Sequence, residues 1–189
     1  MPNLDHIRPC DAEELIGAWS HALGAVHNPS MISVARDPVG EVPNTSRSGV
    51  HRGAYVIKEN AEAMLTLVSS GSNLHHAVAA SKSLEKQGVI CRLVSAPSLG
   101  LFDRQDLEYR RSVFPIDGKP IISVEEYVAT VWARYVTASI GMTGFGYSAS
   151  NESNYERFGL DAQGIEKKVT KYLKYLDGRN ARQEGWMQL

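Results

Sequence analysis

The sequence predicts an α/β domain whose sheet is covered on both faces. Three observations support this. Strand-length apolar runs occur at 54–57, 64–69, 89–94 and 121–124; helical periodicities separate and follow them; and 43% of the 189 residues are hydrophobic against 22% charged. Continuous apolar strands alternating with amphipathic helices belong to sheets with helices on either side, and a chain of this size can bury a sizeable core.

The elements follow in order. Leu4 to Ile7 reads as a short strand, and Asp11 is placed to cap a helix whose apolar positions Leu15, Ile16, Trp19, Ala22 and Leu23 keep helical spacing. Met31 to Ala35 is the next strand. Asp37 to Arg52 gathers Pro38, Gly40, Pro43, Gly49 and small polar residues, the composition of a connection. Beyond the strand runs at 54–57 and 64–69, the positions Leu74, Ala77, Val78, Ser81 and Leu84 mark a helix that Gly88 is suited to end. Ile165, Val169, Tyr172, Leu173 and Leu176 mark the last helix, stopped at Asp177-Gly178, and the residues after it read as a frayed polar tail.

Charge and composition exclude several classes of function. Lys and Arg total 20 against 21 Asp and Glu, a net charge of −1, which leaves no electrostatic footprint for nucleic acid or an anionic membrane. No apolar run approaches the roughly 20 residues of a membrane helix. The start Met1-Pro2-Asn3-Leu4-Asp5 has neither the basic nor the apolar region of a secretory signal, and Met187-Gln188-Leu189 is not a Ser-Lys-Leu address. A cytoplasmic, reducing location is expected, with Cys10 and Cys91 as thiols.

Few residues offer chemistry. Ser69-Ser70-Gly71-Ser72-Asn73 follows a strand and opens a helix, so its backbone N–H groups could receive an anion, with Gly71, Ser72 and Asn73 as the contacts. The alternative is a tight turn at Gly71 and a cap at Ser72 or Asn73. His75 and His76 are candidate general bases beside that loop, or surface histidines. Neighbouring helical residues diverge by about 100°, so the pair does not converge on one metal, and no metal site is expected. Cys10, at a helix start near His6 and His21, is a candidate thiolate, although Asp11 opposes it; Cys91, inside an apolar strand, reads as packed and inert.

An ordered set of short motifs adds a resemblance. The set runs Arg8-Pro9-Cys10-Asp11-Ala12-Glu13-Glu14, Ser33-Val34-Ala35-Arg36, Gly53-Ala54-Tyr55-Val56, Ser70-Gly71-Ser72-Asn73, Val94-Ser95-Ala96-Pro97, Leu101-Phe102-Asp103-Arg104-Gln105 and Glu108-Tyr109-Arg110. It continues through Ser123-Val124-Glu125, Trp132-Ala133-Arg134-Tyr135, Phe145-Gly146-Tyr147-Ser148 and Tyr155-Glu156-Arg157-Phe158-Gly159-Leu160. Together these resemble the end of transketolases and dihydroxyacetone synthases. The resemblance implies a three-layer α/β sandwich with a mostly parallel, mixed sheet. It divides the chain into residues 1–36, the remnant of a pyrimidine-binding domain; 37–52, a linker; 53–176, a transketolase C-terminal-like domain; and 177–189, a polar tail.

In that family thiamine diphosphate lies between a diphosphate-binding and a pyrimidine-binding domain. The Gly-Asp-Gly metal motif, the substrate histidines and the activating glutamate have no counterpart among these residues. The expectation is therefore no cofactor in the isolated chain, with thiamine diphosphate and a divalent metal present only if a partner chain supplies the site. Arg36 falls on the arginine that holds the substrate's terminal phosphate, a task suited to a planar guanidinium; a solvated strand-end arginine is the alternative. Thr143-Gly144 replace the Asp and basic residue that precede Phe-Gly in the family, and 150–154 replace a small, proline-containing stretch.

Two readings of function follow. One is a truncated transketolase-like protein without the thiamine diphosphate site, either a C-terminal assembly or regulatory module or a subunit of a split transketolase-type enzyme that contributes Arg36, present as a homodimer or in complex with a transketolase-type chain. The other is a repurposed cofactor-independent enzyme or small-metabolite-binding protein that uses the cleft left by the absent domains.

Overall fold

A computed structural model describes residues 3–189; Met1 and Pro2, the start of the expected first unit, lie outside the described residues. The chain opens with strand β1 (Asp5–Ile7), helix α1 (Ala12–Gly24) and strand β2 (Ser30–Ile32). The Asp11 carboxylate accepts from the Glu14 N–H and caps α1 as its sequence position predicts. β1 and β2 pair in parallel, Asp5 opposite Ser30 and Ile7 opposite Ile32, as a sheet of two strands. β2 is shorter and earlier than the expected 31–35, because β1, its only partner among the described residues, ends at Ile7.

The stretch read as a mere connection contains helix α2 (Arg47–Arg52), capped by Ser46, whose Oγ accepts from the Gly49 N–H. Packing rather than propensity forms it. Val50 is fully buried with Ile7, Ala18 and Leu101, and a Cβ at Gly49 would stand 2.6 Å from the Tyr55 ring. Gly53 ends the helix at φ 82, where a side chain would meet the Phe102 amide nitrogen at 2.2 Å.

The main sheet comprises β3 (Tyr55–Lys58), β4 (Leu65–Ser69), β5 (Cys91–Ser95), β6 (Ile121–Val128), β7 (Ala138–Met142) and β8 (Met187–Gln188), in the order β3-β5-β4-β6-β7-β8. β3 is antiparallel to β5 and every other pairing is parallel, so the sheet is mostly parallel and mixed as expected. Helices α3 (Asn73–Lys86) and α7 (Ala162–Leu176) cover one face, packing on Leu65, Leu67, Ile122, Val124 and Ile140. On the other face Val68, Val94 and Ile121 meet Phe102 of α4 (Leu99–Asp103), Val113 of α5 (Leu107–Val113) and Trp132 of a 3-10 turn (Ala129–Trp132). These are the three layers; helix α6 (Asn151–Phe158) precedes α7 at one corner.

Residues 177–189 are not a frayed tail. Ala181 is fully buried, the Trp186 indole donates to the Ser139 Oγ at 3.0 Å, and β8 pairs in parallel with β7. Among the described residues no helix is long and apolar enough to cross a membrane.

Candidate functional site

From β4 the sheet grows to one side through β5 and to the other through β6. At such a switch point the connections leave in opposite directions, and open α/β sheets take ligands in the crevice beyond the C-terminal strand ends. Here that crevice lies between the Ser70-Gly71-Ser72 loop after β4 and Glu125, Glu126 and Tyr127 near the end of β6.

The chain fills the crevice with its own Arg8. The Nη1 of Arg8 donates to Glu125 Oε2 at 2.7 Å and its Nη2 to Glu126 Oε1 at 3.1 Å, while the guanidinium lies 4.3 Å from the centre of the Tyr127 ring. The backbone is clamped as well: the Arg8 N–H donates to the Pro97 carbonyl at 2.8 Å, and the Gly71 N–H donates to the Arg8 carbonyl at 3.1 Å. Burial works against the charged guanidinium, but the Glu125 carboxylate prevails and holds Arg8 above its ordinary range. Glu125 also accepts from the Trp132 indole at 3.3 Å and from the Tyr127 N–H at 3.1 Å. Glu126 accepts from the Tyr155 hydroxyl at 2.8 Å, and burial followed by this carboxylate pushes that phenol up.

Further buried acids tie the same N-terminal segment to the domain. Glu14, fully buried, accepts from the Cys10 N–H at 2.8 Å, the Tyr55 hydroxyl at 2.7 Å and the Ser95 hydroxyl. Asp11 accepts from the Val42 N–H and the Thr45 hydroxyl, and Asp5 is paired with His21 and Arg104. Buried carboxylates are tolerated only with such full partnering.

The residues singled out in the sequence divide around this network. Gly71, at φ 59, makes the turn, and its N–H is spent on Arg8 rather than left for an anion. Ser72 occupies the cap position of α3 without a side-chain capping bond, and Asn73 is fully buried with both amide atoms unpartnered. The His75 ring nitrogen bonds the Cys10 carbonyl at 3.2 Å, whereas His76 stacks on Tyr155 at 4.5 Å, so the two rings go separate ways. Burial, then the neighbouring His75, holds His76 below its ordinary range.

Cys10 is fully buried, and burial with Glu14 and Asp11 pushes its thiol far up, which removes the thiolate at neutral pH. Cys91 is a buried thiol pushed up to about 12 by burial. Arg36 is exposed beyond β2 and shares no hydrogen bond or ion pair with the crevice.

Arg8, Glu14, Glu125 and Glu126 were not read as site residues from the sequence. The available signal was a pair of acids closing the apolar run of β6, together with the two motifs that contain Arg8 and Glu125. As a place for a diphosphate and its metal the crevice does not fit, since the Arg8 guanidinium that could meet a phosphate and the Glu125 and Glu126 carboxylates that could meet a metal are spent on one another. Among the described residues no three His, Cys, Asp or Glu side chains gather to hold a metal.

Comparison with known proteins agrees with this architecture. Residues 53–161 match the family model of the transketolase-like TK C-terminal domain. The chain is 33% identical over 178 residues to transketolase 1 of Saccharomyces cerevisiae, covering 94% of this chain and 26% of that protein. It is 36% identical over 175 residues to the dihydroxyacetone synthase of Candida boidinii, covering 92% of this chain and 25% of that protein. A solved transketolase from Leishmania mexicana superposes with a TM-score of 0.88 at 38% identity, over 93% of this chain and 26% of that one. The chain thus spans about a quarter of the length of the relatives it matches. With the family model covering more than half of the chain and a solved transketolase superposing over nearly all of it, this protein belongs to the transketolase family through its C-terminal domain.

Proposed function

We propose that this chain is an assembly module of a transketolase-type enzyme. Residues 1–36 complete the sheet of a pyrimidine-binding domain supplied in trans, 37–52 form the linker, 53–176 the C-terminal domain and 177–189 a tail against it. The observation that carries this reading is the unfinished βαβ unit. A parallel pair of strands is too small to stand alone, since parallel sheets are covered on both faces and need further strands. Yet Ile16, Trp19 and Leu23 lie exposed along one side of α1, with Val26, Met31 and Val34 following them. Contiguous exposed apolar surface of this kind marks a docking face.

The occupant is a transketolase-type chain, or a second copy of this chain in its absence. Arg36 then stands beyond the C-terminal end of β2, the end at which such sheets take ligands, and receives the terminal phosphate of a sugar phosphate. Thiamine diphosphate and its divalent metal reside in the partner, in the cytoplasm. A repurposed metabolite site in the switch-point crevice is disfavoured because Arg8 fills it.

The test mixes the purified chain with a transketolase shortened by the segment that aligns with it, and follows mass by light scattering and ketol transfer with added cofactor. A mixed complex with restored transfer supports the reading. A chain that stays monomeric alone and ignores the shortened enzyme overturns it.

A further inference from the structure

Outside the crevice, a cavity of about 320 Å³ opens at the α6–α7 corner, lined among others by Arg157, Gly159, Asp161, Gly164, Lys167 and Lys168. Two glycines make the corner. Gly159 takes φ 62 after α6, and a Cβ at Gly164 would stand 2.3 Å from the Gly159 Cα, so the helices cross closely. Lys168 lies one turn beyond Gly164 on the same side of α7. Its stem passes over Gly159, where an added Cβ would stand 3.1 Å from the Lys168 Cε, and its Nζ donates to the Phe158 carbonyl at 2.9 Å.

This lysine differs from the other seven of the sequence. Only it and Lys58 are not exposed, and Lys58 is paired with Glu85; Lys119, which likewise donates to a backbone carbonyl, is exposed. Lys168 is half-buried, has no carboxylate partner among the described residues, and faces a cavity shared with two further cations, Lys167 and Arg157. Two acids also line it, Glu156 and Asp161, and the Asp161 carboxylate is engaged by the Gly164 N–H at 3.0 Å. The Arg157 guanidinium is braced 3.8 Å from the centre of the Tyr147 ring.

We propose that Lys168 is a modification site, acylated by small acyl phosphates that the α6–α7 cavity attracts and orients. The deprotonated Nζ attacks the acyl carbonyl carbon and forms the C–N bond. The bond between that carbon and the bridging oxygen breaks, and phosphate leaves with the electron pair. The extra proton on nitrogen passes to the departing phosphate or water, leaving a neutral amide. Arg157 and Lys167 hold the charge of the leaving phosphate, an ionic recognition suited to guanidinium and ammonium groups. Burial lowers the amine from its ordinary range, which raises the share of the nucleophilic form. Acylation removes a positive charge from the C-terminal end of α6, where the helix dipole favours one, and so loosens the corner that carries the Tyr147–Phe158 stack.

The experiment exposes the folded chain to acetyl phosphate and follows each lysine by peptide mass spectrometry. Lys168 should be acetylated several-fold faster than Lys171 and Lys174 of the same helix. Arg157→Gln and Lys167→Gln should slow Lys168 with acetyl phosphate but not with a neutral acetyl ester. Lys168→Arg, which keeps a donor for Phe158, should fold and lose the modified peptide. A Lys168 rate no greater than that of Lys171 and Lys174, or a preference that persists in the urea-unfolded chain, overturns the proposal.

Discussion

Replacing Arg8 with alanine should unfold the seam between the N-terminal unit and the domain. The side chain of Arg8 is 10% exposed and that of Glu125 3%, with 2.7 Å between the paired atoms. Removing the guanidinium leaves Glu125 with only the Trp132 indole and the Tyr127 N–H. Breaking a buried pair from one side costs about 3–5 kcal/mol, because the remaining charge stays buried without its partner. Loss of the contact with Tyr127 adds about 0.5–1 kcal/mol. Urea unfolding, compared through the midpoint and slope, reads the difference. Arg8→Met combined with Glu125→Leu should recover part of the loss, since no deeply buried charge remains: Glu126, 31% exposed, keeps the Tyr155 hydroxyl, although the Trp132 indole loses its acceptor. Arg8→Lys gives a milder form should the alanine variant not fold. A loss under about 1 kcal/mol for Arg8→Ala, the value of an exposed pair, would refute the reasoning.

Two further outcomes follow from local geometry and titration. Gly53→Ala should lower the melting temperature sharply. Its φ of 82 costs a non-glycine residue about 1–3 kcal/mol, and the added Cβ would also meet the Phe102 nitrogen at 2.2 Å; an unchanged melting temperature would show that the α2–α4 contact gives way freely. Stability should fall on acidification from neutrality. Burial first, and neighbouring Arg8 or His75 next, hold His6 and His76 below the ordinary 6.5, so the unfolded chain binds more protons as pH drops through that value. A second loss belongs below about 3.8. Burial alone would raise the Asp5 carboxyl, but His21 and Arg104 bring it under that value, so its contribution disappears as it is protonated. Calorimetric scans from pH 7.5 to 3 check both, and a melting temperature that is flat or rising toward pH 5 would contradict the histidine argument.

Apolar runs and stop signals made much of the domain legible. The strands at 54–57 and 64–69, α3 with its end near Gly88, and α7 with its stop at Asp177 are local patterns, readable because their buried faces repeat at the period of the element. What escaped is non-local. β7, Ala138 to Met142, has a single β-branched residue and runs into the glycine-rich stretch that follows, so its short alternation of Ala, Ile and Met with Ser and Gly does not stand out as a strand. α2 exists because Gly49 and Val50 slide under Tyr55 and Leu101, and β8 because a free strand edge lies beside it.

The crevice was hidden for the same reason. Arg8 and Glu125 are 117 positions apart, and only the topology of the sheet brings them together. Each was visible in the sequence as part of a motif, but not as half of a pair. The strand-to-helix turn at Ser70 to Asn73 is legible, yet its Gly71 donor is used internally, a fact no local pattern contains.

The central claim is that the N-terminal βαβ unit is a docking element for a sheet outside these residues. Hydrogen exchange on the chain, with and without a transketolase shortened by the aligned segment, tests it most directly. The account predicts new protection at the amides of β1, β2 and α1, centred on Ile16 to Leu23, with the six-stranded sheet unchanged. Identical exchange in both samples, at concentrations that saturate any complex, would contradict it.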